Sequence, residues 1–261
     1  MGNKRKPKTG KRKIRKSFIA VVAMFFLCIA VILSTTVLFP INEVAVEYTE
    51  GKYTRSEIIN NSGISVGSNI IMLNSSDVEE RLTRLLPYVG SVEISKSLFG
   101  TVTLTVKETG IKYCLKDNNK YYLTDKDNKL LEIKDKIYKK AVCIKGVDFS
   151  AEVTGKRIKI KNESLINTAN KIVKSIEQFG RTVNYLDMSV RSDVKIYIDK
   201  KYSVNFGNMN DYGDKMKFLG KMLDGIEKKN KKDKGEIDLR HFSVTKEGYF
   251  KHKEIKIPYF K

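Results

Sequence analysis

Residues 76–108 read SDVEERLTRLLPYVGSVEISKSLFGTVTLTVKE, and within them the hydrophobic period changes from helical to alternating. Val78, Leu82, Leu85 and Leu86 recur at helical spacing and share one face. Ser76-Asp77-Val78-Glu79 sets a hydroxyl three residues before a carboxylate, the pair that satisfies orphan amides at a helix start. Pro87 stops the helix because it has no amide hydrogen to offer the ladder. Val89 to Lys96 and Thr101 to Glu108 then read as strands. In the second, Val102, Leu104 and Val106 alternate with Thr103, Thr105 and Lys107, so one face is apolar.

On the N-terminal side, Thr54-Arg55-Ser56-Glu57 repeats the capping pattern, and a short helix with Ile58 and Ile59 should end near Gly63, which tolerates a left-handed cap. Before it, Ile41 to Tyr48 sets Val44, Val46 and Tyr48 against Glu43 and Glu47, a strand pattern. The order is strand, helix, helix, strand, strand, and the fold class is α+β.

From Gly110 the texture changes. Ile111 to Lys116, Tyr121 to Thr124 and Lys129 to Ile133 are short β segments separated by Asp/Asn-rich turns, a meander that opens a second domain. Leu165, Ile166, Ala169, Ile172, Val173, Ile176 and Phe179 form a helical stripe closing at Gly180. Strands follow at Val183 to Met188, Val194 to Ile198 and Tyr202 to Phe206, then a helix with Tyr212, Met216, Leu219, Leu223 and Ile226 inward. Lys228 to Lys234 reads as a basic loop, Glu236 to Arg240 as a strand, and the end as β-rich. Both stripes are core contacts, giving a mixed β domain with packed helices.

The other end of the chain has a different chemistry. Phe18 to Phe39 runs for 22 residues without a charge, interrupted only by Ser34, Thr35 and Thr36. As a helix it would reach about 33 Å, enough for a hydrocarbon core of ~30 Å. A cleaved signal peptide has a shorter apolar run and a small-x-small end, whereas this one closes with Val37-Leu38-Phe39-Pro40. Cys28 lacks the small neighbours of a lipid-attachment site. The run is read as an uncleaved transmembrane helix.

Nine bases and no acid lie in the first sixteen residues, and the chain as a whole carries a formal +20. Lys11, Arg12, Lys13, Arg15 and Lys16 adjoin the apolar run, where each is worth ~1 kcal/mol against anionic lipid. The flank beyond the run begins with Asn42, Glu43 and Glu47, so the positive-inside rule leaves the tail in the cytoplasm and the bulk outside. This placement explains the basicity without nucleic acid, for which no RNP-like run or zinc-finger spacing is present. The expected domains are a basic tail at 1–17, the span at 18–39, the first folded domain at 40–109, the β domain at 110–250 and a C-terminal tail at 251–261.

Catalytic patterns are absent from the sequence: no G-x-S-x-G, H-E-x-x-H, P-loop, or S-x-x-K with K-T-G. His241 and His252 stand eleven apart, which is not the i, i+4 spacing of a helical metal site. Cys114 and Cys143 could pair or remain thiols, with no C-x-x-C to decide it. Two of the many carboxylates could serve a wall hydrolase, but there is no Trp and no aromatic cluster for a sugar cleft. The expectation is a binder, with no enzyme activity, metal or cofactor.

Together these residues resemble the FtsQ/DivIB family of bacterial cell-division proteins. The resemblance runs from about Phe18 to Tyr249 and is carried by Phe39-Pro40-Ile41, Ser62-Gly63-Ile64 with Gly67 and Asn69, and Leu86-Pro87-Tyr88-Val89. Later stretches are Tyr122-Leu123-Thr124-Asp125, Val204-Asn205-Phe206-Gly207 with Lys215, and Ile237-Asp238-Leu239-Arg240. Phe99-Gly100 replaces the family's Pro-Asn, and His241 stands where an aromatic is common.

The resemblance implies a POTRA domain in the β-α-α-β-β segment. It also implies a non-enzymatic septal scaffold holding FtsL-like and FtsB/DivIC-like single-span partners. Their binding would extend the edge of the C-terminal sheet, since an open edge offers unpaired amides and carbonyls. That edge is expected at Arg240 and His241, with Tyr249 and Phe250 as aromatic anchors. The other readings are a membrane-anchored wall-binding or sporulation scaffold with the same fold, and then a wall hydrolase.

Overall fold

The computed structural model describes residues 16–49, 51–151 and 153–260. Lys11, Arg12, Lys13 and Arg15 lie outside the described residues. Lys16 opens the first helix, α1 (Lys16–Leu38, 23 residues). Side chains described along α1 include Phe18, Met24, Phe25, Phe26 and Leu27, all exposed, whereas those of residues 31–38 lie outside the description. Among the described residues, no helix is long and apolar enough to cross a membrane.

The first folded domain follows the sequence order: β1 (Glu43–Glu47), α2 (Arg55–Ser62), α3 (Ser75–Leu85), β2 (Val89–Lys96) and β3 (Thr101–Glu108). At the start of α2 the Glu57 amide donates to the Thr54 hydroxyl at 3.2 Å, and the Thr54 amide donates to the Glu57 carboxylate at 2.7 Å. Gly63 ends this helix in the left-handed region, φ 76°. The cap of α3 is Asn74, whose side chain accepts from the Ser76 amide at 3.1 Å, so this helix starts before the expected Ser76.

The three strands are ordered β1-β3-β2, with β1 parallel and β2 antiparallel to β3. Val102, Leu104 and Val106 face inward and pack with Ile41, Ile58, Leu82 and Val89 beneath the helices, as the alternation requires.

The second domain is built on one mixed sheet. Its elements are β4 (Tyr113–Asp117), β5 (Lys120–Thr124), β6 (Leu130–Lys134), β7 (Val142–Lys145), β8 (Phe149–Ser150), β9 (Lys159–Ile160), α4 (Glu163–Gln178), β10 (Val183–Asp187) and β11 (Val194–Ile198). They continue with β12 (Tyr202–Gly207), α5 (Tyr212–Lys229), β13 (Gly235–Asp238), α6 (Phe242–Thr245) and β14 (Tyr249–His252). Nine strands lie in the order β14-β13-β12-β11-β10-β7-β4-β5-β6, and β8 pairs with β9 apart from them.

The basic loop foreseen from Lys228 is shorter, because α5 runs to Lys229. No local pattern marks the strand β7, four residues that end in Lys145. It joins the meander to β10 by parallel pairing on both sides.

Stripes from α4 and α5 cover one face of this sheet, burying Ile172, Ile176, Leu219 and Leu223 against Leu186, Ile196 and Val204. The opposite face has its own apolar cluster of Cys114, Leu123, Ala141, Cys143 and Tyr185, on which the chain end lays Ile257, Tyr259 and Phe260. The Phe260 amide donates to the Tyr185 hydroxyl at 3.3 Å, and the two rings meet edge to face at 5.7 Å. Beneath this strap Cys114 and Cys143 are register partners on adjacent strands, and both are free thiols. Cys114 and burial together push the Cys143 thiol far up.

Polar contacts join the two domains around β6. The Lys129 ammonium donates to the Val89 carbonyl at 2.6 Å, the Thr109 hydroxyl meets Asp125 at 3.2 Å, and the Tyr88 hydroxyl donates to Glu132. Gly155, at φ 83°, is pressed so close that a Cβ there would lie 2.1 Å from the Arg84 carbonyl oxygen. Only glycine fits that approach.

Candidate partner-binding edge

The nine-stranded sheet ends at β6 on one side and β14 on the other. The start of β6 is occupied on its far side: the Leu130 amide donates to the Lys156 carbonyl at 2.9 Å, and the Gly155 amide donates to the Leu130 carbonyl at 2.8 Å. Glu132 further along is engaged by Tyr88 and by Lys134 at 2.8 Å. Among the described residues, β14 has no strand beyond it. It is the open edge.

The parity of its main chain follows from one bond. β14 runs antiparallel to β13 with Gly235↔His252, Glu236↔Lys251, Ile237↔Phe250 and Asp238↔Tyr249 opposed. Just past the ladder, the Lys253 amide donates to the Lys234 carbonyl at 3.2 Å. Hydrogen-bonded and non-hydrogen-bonded pairs alternate in an antiparallel ladder, so Lys251 and Tyr249 bond inward. The amides and carbonyls of Phe250 and His252 therefore point away from the sheet. These are the groups that an added strand would use.

The side chains divide by face. Phe250 is half-buried against the helix-covered core and stacks edge to face with His252 at 4.9 Å. Gly235 makes room for it, since a Cβ there would sit 2.5 Å from the Phe250 ring. Tyr249 lies on the opposite face, 60% exposed, with its hydroxyl donating to Glu247 at 2.9 Å. On that face Glu236 accepts from Asn205 at 2.7 Å and from Lys253 at 2.8 Å. The border is polar, with one exposed aromatic.

Arg240 and His241 do not lie on the edge strand. β13 ends at Asp238, and these residues form the turn into α6, with His241 exposed at the helix cap position. The open edge is one strand further out than the sequence reading put it. Asp238 nonetheless gathers the group: it opposes Tyr249 in the ladder, and its carboxylate accepts from the Arg240 Nε at 3.0 and 3.1 Å. Bonding to Arg240 holds the Asp238 carboxyl below the usual range. Arg240 and Tyr249 are brought to one neighbourhood, while Phe250 turns inward.

Sequence reasoning gives Asp238 no role at the edge and does not find the strap. The first had a faint signal, an acid two residues before an arginine, and the second had Ile257-Pro258-Tyr259-Phe260, apolar residues after a charged run. Among the described residues, no group of three or more His, Cys, Asp or Glu could hold a metal ion.

Comparison with known proteins places this geometry in context. Residues 39–109 match the family described as POTRA domain, FtsQ-type. Over 235 residues the chain is 25% identical to the cell division protein DivIB of Clostridium botulinum, covering 88% of this chain and 91% of that protein. A protein of the same name from Clostridium acetobutylicum is 28% identical over 162 residues, 61% of this chain and 64% of its own length. One from Clostridium tetani is 31% identical over 93 residues, 35% of each.

Proposed function

We propose that this chain, which belongs to the FtsQ/DivIB family of cell-division proteins, is a non-enzymatic membrane-anchored scaffold of the division machinery. It holds FtsL-like and FtsB/DivIC-like single-span partners through its extracytoplasmic part. The observation that carries the binding mode is the open β14 edge, with Phe250 and His252 presenting unpaired main-chain groups. An extended partner segment adds there as a tenth strand, and Tyr249 and Arg240 read its side chains.

The anchor is α1. Support comes from its 23-residue length, the 22-residue uncharged run, and the exposure of Phe18, Met24, Phe25, Phe26 and Leu27. Exposed apolar surface of that extent is costly in water and stable in lipid. Lys11, Arg12, Lys13, Arg15 and Lys16 hold the cytoplasmic face to anionic headgroups. The folded domains then sit outside the membrane at the division septum.

A fluorescent fusion on the cytoplasmic tail, imaged while the untagged protein is depleted, tests the reading. A mid-cell band with filamentation on depletion is expected. Uniform membrane signal with normal septa would overturn it in favour of a wall-binding or sporulation scaffold.

A further inference from the structure

The N-terminal domain turns one pole toward the end of α1, and that pole is apolar. Leaving the helix at Leu38, the chain is tied at once to two loops. The Ile70 amide donates to the Phe39 carbonyl at 2.9 Å, and the Ile41 amide donates to the Ser68 carbonyl at 2.7 Å. Asn42 gives its amide to the Gly100 carbonyl at 2.8 Å and its side-chain amide to the Phe99 carbonyl at 3.0 Å. The loop from Val66 to Met72 and the β2–β3 turn thus flank the helix exit, and the Lys96 ammonium, donating to the Leu73 carbonyl, braces one against the other.

These two loops carry large apolar side chains with nothing over them. Leu98 is 85% exposed, Phe99 88% and Met72 77%, and Val66 and Ile71 are exposed as well. Full burial of such a side chain is worth about 1.5–3 kcal/mol, so five at one pole is surface that favours a cover. The turn is held against the helix exit: Gly100, at φ 86°, is packed so that a Cβ would meet the Pro40 carbonyl oxygen at 2.5 Å.

Chain connectivity selects the cover. The Val66–Met72 loop is tied at Phe39, only ~4 Å of chain past Leu38, and the β2–β3 turn at Asn42, at most ~14 Å past it, beside a headgroup layer about 5–8 Å thick on each side of a bilayer. A pole held that close to the end of a membrane span meets lipid before it can meet a partner approaching from the side. We propose that Leu98 and Phe99, flanked by Ile71 and Met72, are seated in the outer headgroup–acyl boundary of the bilayer that α1 spans. The inference rests on the anchor reading of α1. It gives the N-terminal domain a fixed seat on the membrane, and so a defined height for the β14 edge.

The chain contains no Trp, which makes single substitutions readable. The full chain would be reconstituted in phosphatidylethanolamine/phosphatidylglycerol vesicles with brominated acyl chains, as Phe99→Trp, Phe26→Trp or Val244→Trp. The expected result is loss of intensity and a blue shift for Phe99→Trp and Phe26→Trp, with Val244→Trp, exposed on α6, unaffected. Quenching of Phe26→Trp with Phe99→Trp matching Val244→Trp would overturn the seated pole and leave the anchor standing, freeing that surface for a protein. Quenching of neither anchor nor pole would overturn both, and quenching of all three would mean unspecific adsorption and defeat the proposal.

Discussion

The phenol of Tyr88, one residue before β2, donates its hydrogen to the carboxylate of Glu132 on β6, and this bond is one of several that span the two domains. Both burial and Glu132 push the Tyr88 pKa up, leaving the phenol as the donor throughout the neutral range. Tyr88→Phe keeps the ring and its contact with the Lys52 ammonium at 4.6 Å, and Glu132 keeps Lys134. The loss should be about 1 kcal/mol in urea unfolding, with the two domains melting less cooperatively by calorimetry. An unchanged melt would show that the joint does not depend on this bond.

A second cluster links α5 to the sheet. Arg181, its side chain 12% exposed, meets Glu227 at 2.6 Å and Asp199 at 3.5 Å. Bonding to Arg181 holds the Glu227 carboxyl below its ordinary 4.5. A depressed carboxyl stabilises the fold fully above its unfolded pKa and loses that contribution as pH falls through the folded one. Glu227→Gln should therefore cost about 2 kcal/mol at neutral pH and progressively less below about pH 4.5. A pH-independent difference would count against the ion pair as its source.

At the open edge, the parity of β14 makes a sharp distinction. His252→Pro removes an outward amide and no inward bond, so the thermal melt should stay within about 0.5 kcal/mol of wild type while partner binding falls about tenfold. Arg240→Glu sets a second negative charge beside Asp238 and should weaken binding and alter its salt dependence. Pull-down and calorimetric titration with the purified partners would check both. Undiminished binding by both variants would remove β14 as the docking strand.

The strap guards the two thiols. In the native chain Cys114 and Cys143 are buried beneath Tyr185 and the chain end, and the raised Cys143 pKa leaves it as an unreactive thiol. Maleimide labelling read by mass spectrometry should leave both unmodified. A stop after Glu254 removes Ile257, Tyr259 and Phe260, and should make the pair label within the folded state. Equal protection in the truncated chain would mean that the sheet closes without its strap.

Local signals were read well where a single residue's chemistry decides the structure. Thr54 and Glu57 cap α2 from both sides, Gly63 ends it, and the limits of β2 and β3 coincide with those read from alternation. Asn74 displaced the expected cap of α3 because a side-chain oxygen two residues earlier reached the Ser76 amide. What escaped is long-range. β7 is four residues that gain their place from parallel neighbours at Tyr113 and Tyr185, which no local pattern encodes. The edge was misplaced for the same reason: Arg240 continues an alternating run, and only the tertiary register shows that β13 stops at Asp238.

The strap also sets an order of events in synthesis. Phe260 packs on Tyr121 and Tyr185, which lie on strands made much earlier, so one face of the central sheet stays bare until residues 257–260 have been synthesised. A chain stopped before Ile257 would have every helix and strand described above, yet show Tyr185 and its neighbours to solvent. Residues 257–260 therefore act late, as the closure of an apolar face that the rest of the fold leaves open.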